Sequence, residues 1–375
     1  MRIAVLGAGA MGSAAARLLA RHEGVDLWVI DVDGGRAEAV VKAAGRGAAR
    51  PLRRGATAEA LRGADVVAAC VPYRSNLEIM EAALEAGCHY ADLGGLYHMT
   101  LRQLELDGRF READRAAIVG IGCCPGLSNV LARLAADRLD RVESIDILDG
   151  AVEEDEGFGV PYSADTIIDE FTAPAMVFED GRLREVPAGS GAVRWRFPAP
   201  IGEMEAVYTL HSEIATLPRT IDGVRDVRWR LALPPAIADG FRLLADLGLT
   251  REEPVDTPSG PVVPRDLLRA LLGRVPAPAG PPRDVEVLVV QARGTLDGRT
   301  ATFTAEARYE PQPEGISAGA FGTAIPIAVA ARWLAEGRVE PGVHPPETAL
   351  VAEDFVAEVA REGVRITTRL EELRT

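Results

Sequence analysis

Lysine is all but missing from this chain of 375 residues: Lys42 is the only one, and the other forty basic residues are arginine. An arginine guanidinium keeps its proton inside proteins, so chemistry that needs a deprotonatable amine has a single candidate, and Schiff-base catalysis is disfavoured. Lys42 falls in an Arg/Ala/Glu-rich stretch, residues 36–45, that reads as the solvated face of a surface helix. Cysteine is also scarce. Cys70, Cys88, Cys123 and Cys124 form no C-x-x-C pair, and the adjacent Cys123 and Cys124 are poorly placed to bridge each other, which points to a reduced, cytoplasmic protein. Basic residues number 41 against 56 acidic ones, a net charge of −15 that repels phosphate backbones and anionic lipid headgroups. Neither nucleic acid nor a membrane surface is therefore expected as a partner. No apolar run reaches the roughly 18 residues of a membrane span, and no basic leader with a cleavage site precedes the first structured motif. Without an H-E-x-x-H motif or paired Cys/His spacing, no metal is expected. Without a G-x-S-x-G elbow, Ser-His-Asp hydrolysis lacks support. Glycine and proline together make up 63 residues, below the roughly 25–30% that marks low-complexity disorder.

What is present has the length of about two domains. The first third alternates short apolar runs with helix-like stretches, the pattern of a parallel sheet built from βαβ units. Strands are expected at residues 2–6, 25–30, 66–71, 90–93 and 117–121, and helices at 11–21, 76–87 and 101–116. Beyond a helix at 128–139 the texture changes. Residues 205–210, 227–233 and 285–292 alternate apolar with polar, which signals antiparallel strands with one solvated face. Asp297-Gly298 between two such runs predicts a hairpin, and the proline-rich span 276–282 a loop. Helices return at 322–335 and 352–362.

The strongest local signal is Gly7-Ala8-Gly9-Ala10-Met11-Gly12, a G-x-G-x-x-G run that follows a strand, opens a helix and precedes Asp31 by nineteen residues. Gly7 permits the tight turn, Gly9 lets backbone approach a diphosphate, and Gly12 lets helix and strand pack closely. The exposed N–H groups of the helix N-terminus, at Ala10 and Met11, complete the cradle. Asp31 is placed to accept hydrogen bonds from the adenosine ribose and would repel a 2′-phosphate, which favours NAD over NADP, although Arg36 lies near enough in sequence to offer a phosphate contact.

Ligands of doubly wound sheets lie beyond the carboxyl ends of the strands. Three stretches qualify: Val71-Pro72-Tyr73-Arg74-Ser75-Asn76, Asp92-Leu93-Gly94-Gly95-Leu96-Tyr97-His98, and Gly120-Ile121-Gly122-Cys123-Cys124-Pro125-Gly126. Further on, Tyr208-Thr209-Leu210-His211-Ser212-Glu213-Ile214-Ala215-Thr216-Leu217-Pro218 concentrates titratable and hydroxyl groups between apolar residues. Of five histidines, only His98 and His211 sit in such clusters.

With those motifs in hand, the sequence resembles the saccharopine dehydrogenase-like family, most closely its bacterial lysine 6-dehydrogenase-like branch. The matching pieces are the glycine run, DLGGLYHMT (residues 92–100), PGLSNVL (125–131), LHSEIATLP (210–218), residues 322–332 and GVHPPE (342–347). The resemblance implies an α/β architecture: a Rossmann doubly wound parallel sheet (residues 1–125), a second α+β domain on a mixed or antiparallel sheet for substrate and dimerisation (126–312), and C-terminal helices returning to the first domain (313–375). It also implies nicotinamide chemistry at a carbon–nitrogen bond of a small amino acid or diamine, commonly in a homodimer. Cys124 stands where the family's saccharopine reductases carry an aspartate, which weakens transfer of saccharopine formation.

The expected reaction is NAD-dependent oxidative deamination, with the lysine ε-amine as first substrate. Reduction of an imine between an amine and a carbonyl acid is the alternative, and a non-catalytic nucleotide-binding protein the rival of another class. A base poised near neutrality must take the ammonium proton, and the reacting carbon must be held within reach of the ring. His211 and Glu213 are the base candidates, with His98 behind them and Asp92 as a catalytic positioning group. Val71, Pro72 and Tyr73 are expected along the cofactor with the glycine run and Asp31. Gly94, Gly95, Tyr97, His98, Cys124 and Thr216 are expected along the substrate. Arg74, Arg219, Arg225 and Arg228 are candidates for gripping a carboxylate.

Overall fold

The computed structural model describes residues 1–153, 159–160, 162–275 and 280–372. Residues 276–279 of the expected proline-rich loop lie outside them. The first third runs β1 (Arg2–Leu6), α1 (Ala10–Leu19), β2 (Asp26–Asp31), α2 (Gly34–Ala44), β3 (Ala48–Pro51), α3 (Thr57–Leu61), β4 (Val66–Ala69), α4 (Asn76–Ala86), β5 (His89–Asp92), α5 (Leu96–Leu104), α6 (Asp107–Glu112) and β6 (Ala116–Ile118). Its strands pair in parallel in the order β6-β5-β4-β1-β2-β3. Successive strand residues point to opposite faces, so the continuous apolar runs feed two cores. Ile3, Val5, Val66 and Ala68 face one, and Ala4, Leu6, Val67 and Ala69 the other. Lys42 is exposed on α2, as its surroundings in sequence predict.

The chain continues through α7 (Leu127–Ala136), β7 (Arg141–Val152), α8 (Ala164–Thr172), β8 (Ala175–Glu179), β9 (Arg182–Val186), β10 (Val193–Arg196), β11 (Glu203–Ala206), α9 (Glu213–Thr220), β12 (Asp226–Ala232), α10 (Pro235–Asp246), β13 (Val255–Thr257), β14 (Gly260–Val262), α11 (Pro264–Leu272), β15 (Val285–Leu296) and β16 (Arg299–Tyr309). It closes with α12 (Ala318–Ala335), β17 (Gly342–His344), α13 (Pro346–Ala349), α14 (Ala352–Arg361) and β18 (Arg365–Glu372). A second sheet takes the order β18-β16-β15-β7-β12-β8-β9. It is mixed, because β12 lies parallel to β7 while the other pairs are antiparallel. The β15–β16 hairpin turns at Asp297 and Gly298, with φ of 50° and 74°, the left-handed pair that a two-residue turn between right-twisted strands requires.

The C-terminal stretch stitches the two sheets together. Helix α12 packs on α1 and beneath β1, β4 and β5, β17 adds a seventh parallel strand beside β6, and β18 returns to the second sheet along β16. By length and composition α12 could cross a membrane, but 78% of it is buried inside the protein, where it serves as a core helix.

Local departures from the sequence reading have local causes. The helix expected at 101–116 starts at Leu96, inside the DLGGLYHMT motif, and breaks before Asp107. Its last residues leave the helix after the left-handed Asp114 to form β6. Of the strand expected at 205–210, only the first residues form β11, paired with β10 in a separate ribbon, and Val207 makes a single bridge to Leu231.

Candidate active site

The glycine turn is built as its motif requires. Gly7 takes φ of 105°, and a Cβ there would lie 2.4 Å from the Cys70 carbonyl oxygen; one on Gly12 would lie 1.9 Å from the Gly7 carbonyl oxygen. Packing within the chain thus forbids side chains at both. Gly9 differs: it is exposed at the start of α1, and a Cβ there would meet nothing within 4 Å. No protein atom demands its glycine, whereas a diphosphate resting on the uncapped end of α1 would. Ala10 is exposed beside it and Met11 half-buried, and the first turn of α1 carries no acidic side chain to oppose an anion. At the end of β2, Asp31 accepts N–H bonds from Ala8 (2.6 Å) and Asp33 (2.8 Å), which fix its carboxylate beside the turn. The Arg36 guanidinium is 3.4 Å from Asp33 Oδ2 and largely exposed. These residues fit a dinucleotide, which when bound supplies or accepts a hydride. Gly9→Ala is expected to leave the thermal midpoint unchanged and to weaken binding of the reduced cofactor by at least about tenfold in a fluorescence titration. Unchanged affinity would remove Gly9 from the diphosphate cradle.

Asp92 sits at the end of β5, 1% exposed, and is a knot between loops. Its Oδ1 accepts the N–H groups of Gly94 and Gly120, each at 2.8 Å. Its Oδ2 accepts from Tyr90 Oη (2.8 Å), Asn76 Nδ2 (3.1 Å) and Gln103 Nε2. Burial raises its pKa while these bonds pull the other way. Five donors fix its carboxylate in place. Gly94 and Gly95 also answer to packing, since a Cβ on Gly94 would lie 2.7 Å from Pro125 Cγ and one on Gly95 2.7 Å from Met99 Cγ. Tyr97 is buried edge-on to His98, which is exposed. Thr216 is buried on α9. Its hydroxyl accepts from Asn129 Nδ2 (3.2 Å), whose amide also donates to the buried Glu347 (2.9 Å), tying α7, α9 and α13 together.

The titratable cluster around His211 forms where α7, α8 and α9 meet the second sheet. His211 lies flat on Trp229, ring centroids 3.9 Å apart at 17°, and Trp229 Nε1 donates to Thr209 Oγ1 at 2.9 Å. Its Nδ1 is bonded to Glu213, the first residue of α9, and its Nε2 is 3.9 Å from Glu170 of α8. Ser128 donates to Glu213 at 2.7 Å, and the Tyr162 hydroxyl donates to Glu170. Burial works against an imidazolium here, but the charge and hydrogen bond of Glu213, with the charge of Glu170, hold the His211 pKa above its ordinary value. Burial pushes Glu170 up to about 7.

Two further carboxyls lie against this group. Asp149 on β7 is driven well up by burial and by the charges of Glu286, Glu213 and Glu170, and burial pushes Glu286 on β15 to about 7. Cys124, half-buried, and Cys123, buried, meet them from the 120–126 turn, with Cys123 Sγ 3.4 Å from Tyr309 Oη. Among the described residues no arginine pairs with Asp149, Glu170, Glu213 or Glu286. Four carboxyls around one imidazole form a buried cluster in which acids outnumber basic groups, a balance that a cation would redress.

The strand-end loop after β4 reaches α8 from the first sheet. Val71 is half-buried and Pro72 exposed. Tyr73 Oη donates to Asp169 Oδ2 at 2.6 Å, and Arg74 (3.0 Å) and buried Arg265 (2.7 Å) bind the same carboxylate. Burial opposes the Asp169 charge, yet these bonds keep its pKa low. Neighbouring residues of α8 therefore serve two partners: Asp169 holds the loop after β4 and Glu170 faces His211. Of the other arginines considered, Arg228 is committed to Glu179 and Asp226, Arg225 lies 3.8 Å from Asp180, and Arg219 is exposed. Sequence reasoning missed Glu170, Asp149, Glu286, Tyr162 and Trp229, which come from scattered elements without a shared motif. Ser128 alone had a signal, being part of the PGLSNVL run.

Fold and site together define a dinucleotide-dependent oxidoreductase whose second domain brings an acidic cluster against the turn that follows β6. Comparison with known families gives the same class. Residues 3–118 match the saccharopine dehydrogenase NADP binding domain, and residues 122–364 the saccharopine dehydrogenase C-terminal domain. The chain belongs to the saccharopine dehydrogenase family. It is thus a nicotinamide-dependent dehydrogenase acting on CH–NH or CH–NH2 groups. It is similar to carboxyaminopropylagmatine dehydrogenase of Synechocystis, 24% identical over 319 residues that cover 80% of this chain and 79% of that protein. Its fold matches apo saccharopine dehydrogenase (L-Glu forming) of Saccharomyces cerevisiae with a TM-score of 0.76, 18% identity and 99% of each chain covered.

Proposed function

We propose that this enzyme makes or breaks a secondary amine joining a carbonyl acid to a cationic amine, with a diamine or a guanidino-amine as the amine partner. The observation that carries this reading is the buried cluster of Asp149, Glu170, Glu213 and Glu286 around His211, in which no lysine or arginine is seen to pair with the carboxyls among the described residues. An amine bearing a second positive charge would pair with those carboxyls as it lies beside the reacting carbon. The name of the Synechocystis relative, an agmatine carrying a carboxyaminopropyl group, describes a molecule of that kind. His211 would hold or release the proton of the reacting nitrogen, with Glu213 fixing its ring through Nδ1 and Glu170 facing Nε2. Lys42, exposed on α2, takes no part, so the substrates would condense without an enzyme-bound imine. Asp31 supports NAD over NADP.

A second reading, oxidative deamination of the lysine ε-amine, is favoured by the LHSEIATLP run and would use the same pocket for one ammonium group. Stoichiometry separates the two. The condensation reading expects reduced cofactor to be consumed only when a diamine or agmatine and a semialdehyde or keto acid are present together. NADH formation from lysine and water alone would establish the second reading in its place, and turnover with neither would contradict both.

A further inference from the structure

Amine chemistry accounts for the carboxyls of the pocket but gives no use to its sulfur. The Sγ atoms of Cys123 and Cys124 are 3.6 Å apart. With a carboxylate oxygen of Asp149 they form a set in which all three ligand atoms lie within 4.8 Å of one another. Neighbouring residues of an extended chain point to opposite sides. Here the Gly122 N–H donates back to the Pro125 carbonyl at 2.7 Å, and the turn this closes brings both sulfurs to one side. Two sulfurs bound to one zinc-sized ion at about 2.3 Å with a tetrahedral angle stand about 3.8 Å apart, so the pair already spans one edge of such a tetrahedron.

The oxygen side of the set is open to a ligand as well. Asp149 Oδ1 is shut off from solvent and has no hydrogen-bond partner among the described residues. A buried carboxyl oxygen left without a donor is costly unless something binds it. Glu286 is near enough to Cys123 for its charge to raise the thiol's pKa, which brings a fourth donor near. Thiol and carboxyl donors together suit borderline-soft ions of the zinc type and not calcium or magnesium, which take oxygen ligands alone.

We propose that Cys123, Cys124 and Asp149 form a binding site for one thiophilic divalent cation of the zinc class, with Glu286 as the nearest further oxygen donor. On binding, each thiol gives its proton to the buffer and its sulfur lone pair to the metal, and nothing is oxidised. The site shares Asp149 and Glu286 with the amine reading but is argued from sulfur geometry and an orphaned oxygen, and a thiolate signal reports on it whatever the amine experiments show.

The test is a titration of the full chain with Cd2+, in a non-thiol reductant, followed at the ultraviolet thiolate-to-cadmium charge-transfer band. One equivalent is expected to saturate the band at the intensity of two thiolates. Cys124→Ser, at a half-buried position, should halve it, and Cys123→Ser combined with Cys124→Ser should abolish it. Cys88→Ser should leave it intact, and Asp149→Asn should weaken the affinity at least about tenfold. Circular dichroism checks the fold of each variant. Full band intensity in folded Cys124→Ser, or no band in the unaltered protein at millimolar Cd2+, would overturn the proposal.

Discussion

Replacing His211 with asparagine is expected to lower kcat by about 10² to 10⁴, the range over which a positioned proton carrier contributes, and to leave cofactor affinity unchanged. Asparagine retains a polar group in a similar volume but cannot cycle a proton near neutrality. In the native site the imidazole is held on three sides: Trp229 beneath the ring, Glu213 at Nδ1 and Glu170 toward Nε2. The glycine turn and Asp31 lie on other elements, so nucleotide binding should not register the change. Steady-state rates measured beside a fluorescence titration of reduced cofactor separate the two quantities. If kcat survives, His211 is a packing partner of Trp229 and the proton carrier lies elsewhere.

Without ligand, stability is expected to fall as pH rises from about 5 to about 8, opposite to the acid denaturation of most proteins. Glu170 and Glu286 titrate ordinarily near 4.5, but burial moves both to about 7 in the fold. Between those values the unfolded chain has released protons that the folded chain keeps. The stabilisation is whole below about 4.5 and lost progressively toward 7, at up to about 1.4 kcal/mol per pH unit for each group. His211, raised above its ordinary 6.5, acts with the same sign, being fully stabilising below that value and less so as pH climbs through its folded pKa. Asp169, held low, changes only in more acidic solution. Chemical denaturation at a series of pH values measures the slope, and Glu170→Gln should reduce it. A flat or rising profile would mean that the carboxyls are ionised and balanced without an added cation.

Much of the nucleotide half was legible because its physics is local. Gly7, Gly12 and Asp31 lie within one βαβ unit, and short-range turn and packing demands fix what each must be. The hairpin at Asp297-Gly298 was legible for the same reason. Strand β3 went unread because it is a short edge element rich in arginine and alanine, and β18 because its residues, RITTRLEE, are nearly all exposed. The candidate site was only half visible. His211 and Glu213 stand two residues apart and read as a cluster, but Glu170, Asp149 and Glu286 arrive from α8, β7 and β15, and only the mixed sheet gathers them. Asp92 shows the converse: its motif marked an important residue, and the structure turned its carboxylate inward onto five donors.

The proposed function requires a cationic amine to meet the buried acidic cluster with the nicotinamide ring beside it. A crystal structure of the enzyme with reduced cofactor and a diamine tests it most directly. The account predicts an ammonium nitrogen within hydrogen-bond reach of Glu170 or Glu213 and a nicotinamide ring facing His211. A carboxylate of the ligand in that pocket, or a ring turned away from it toward solvent, would contradict the account.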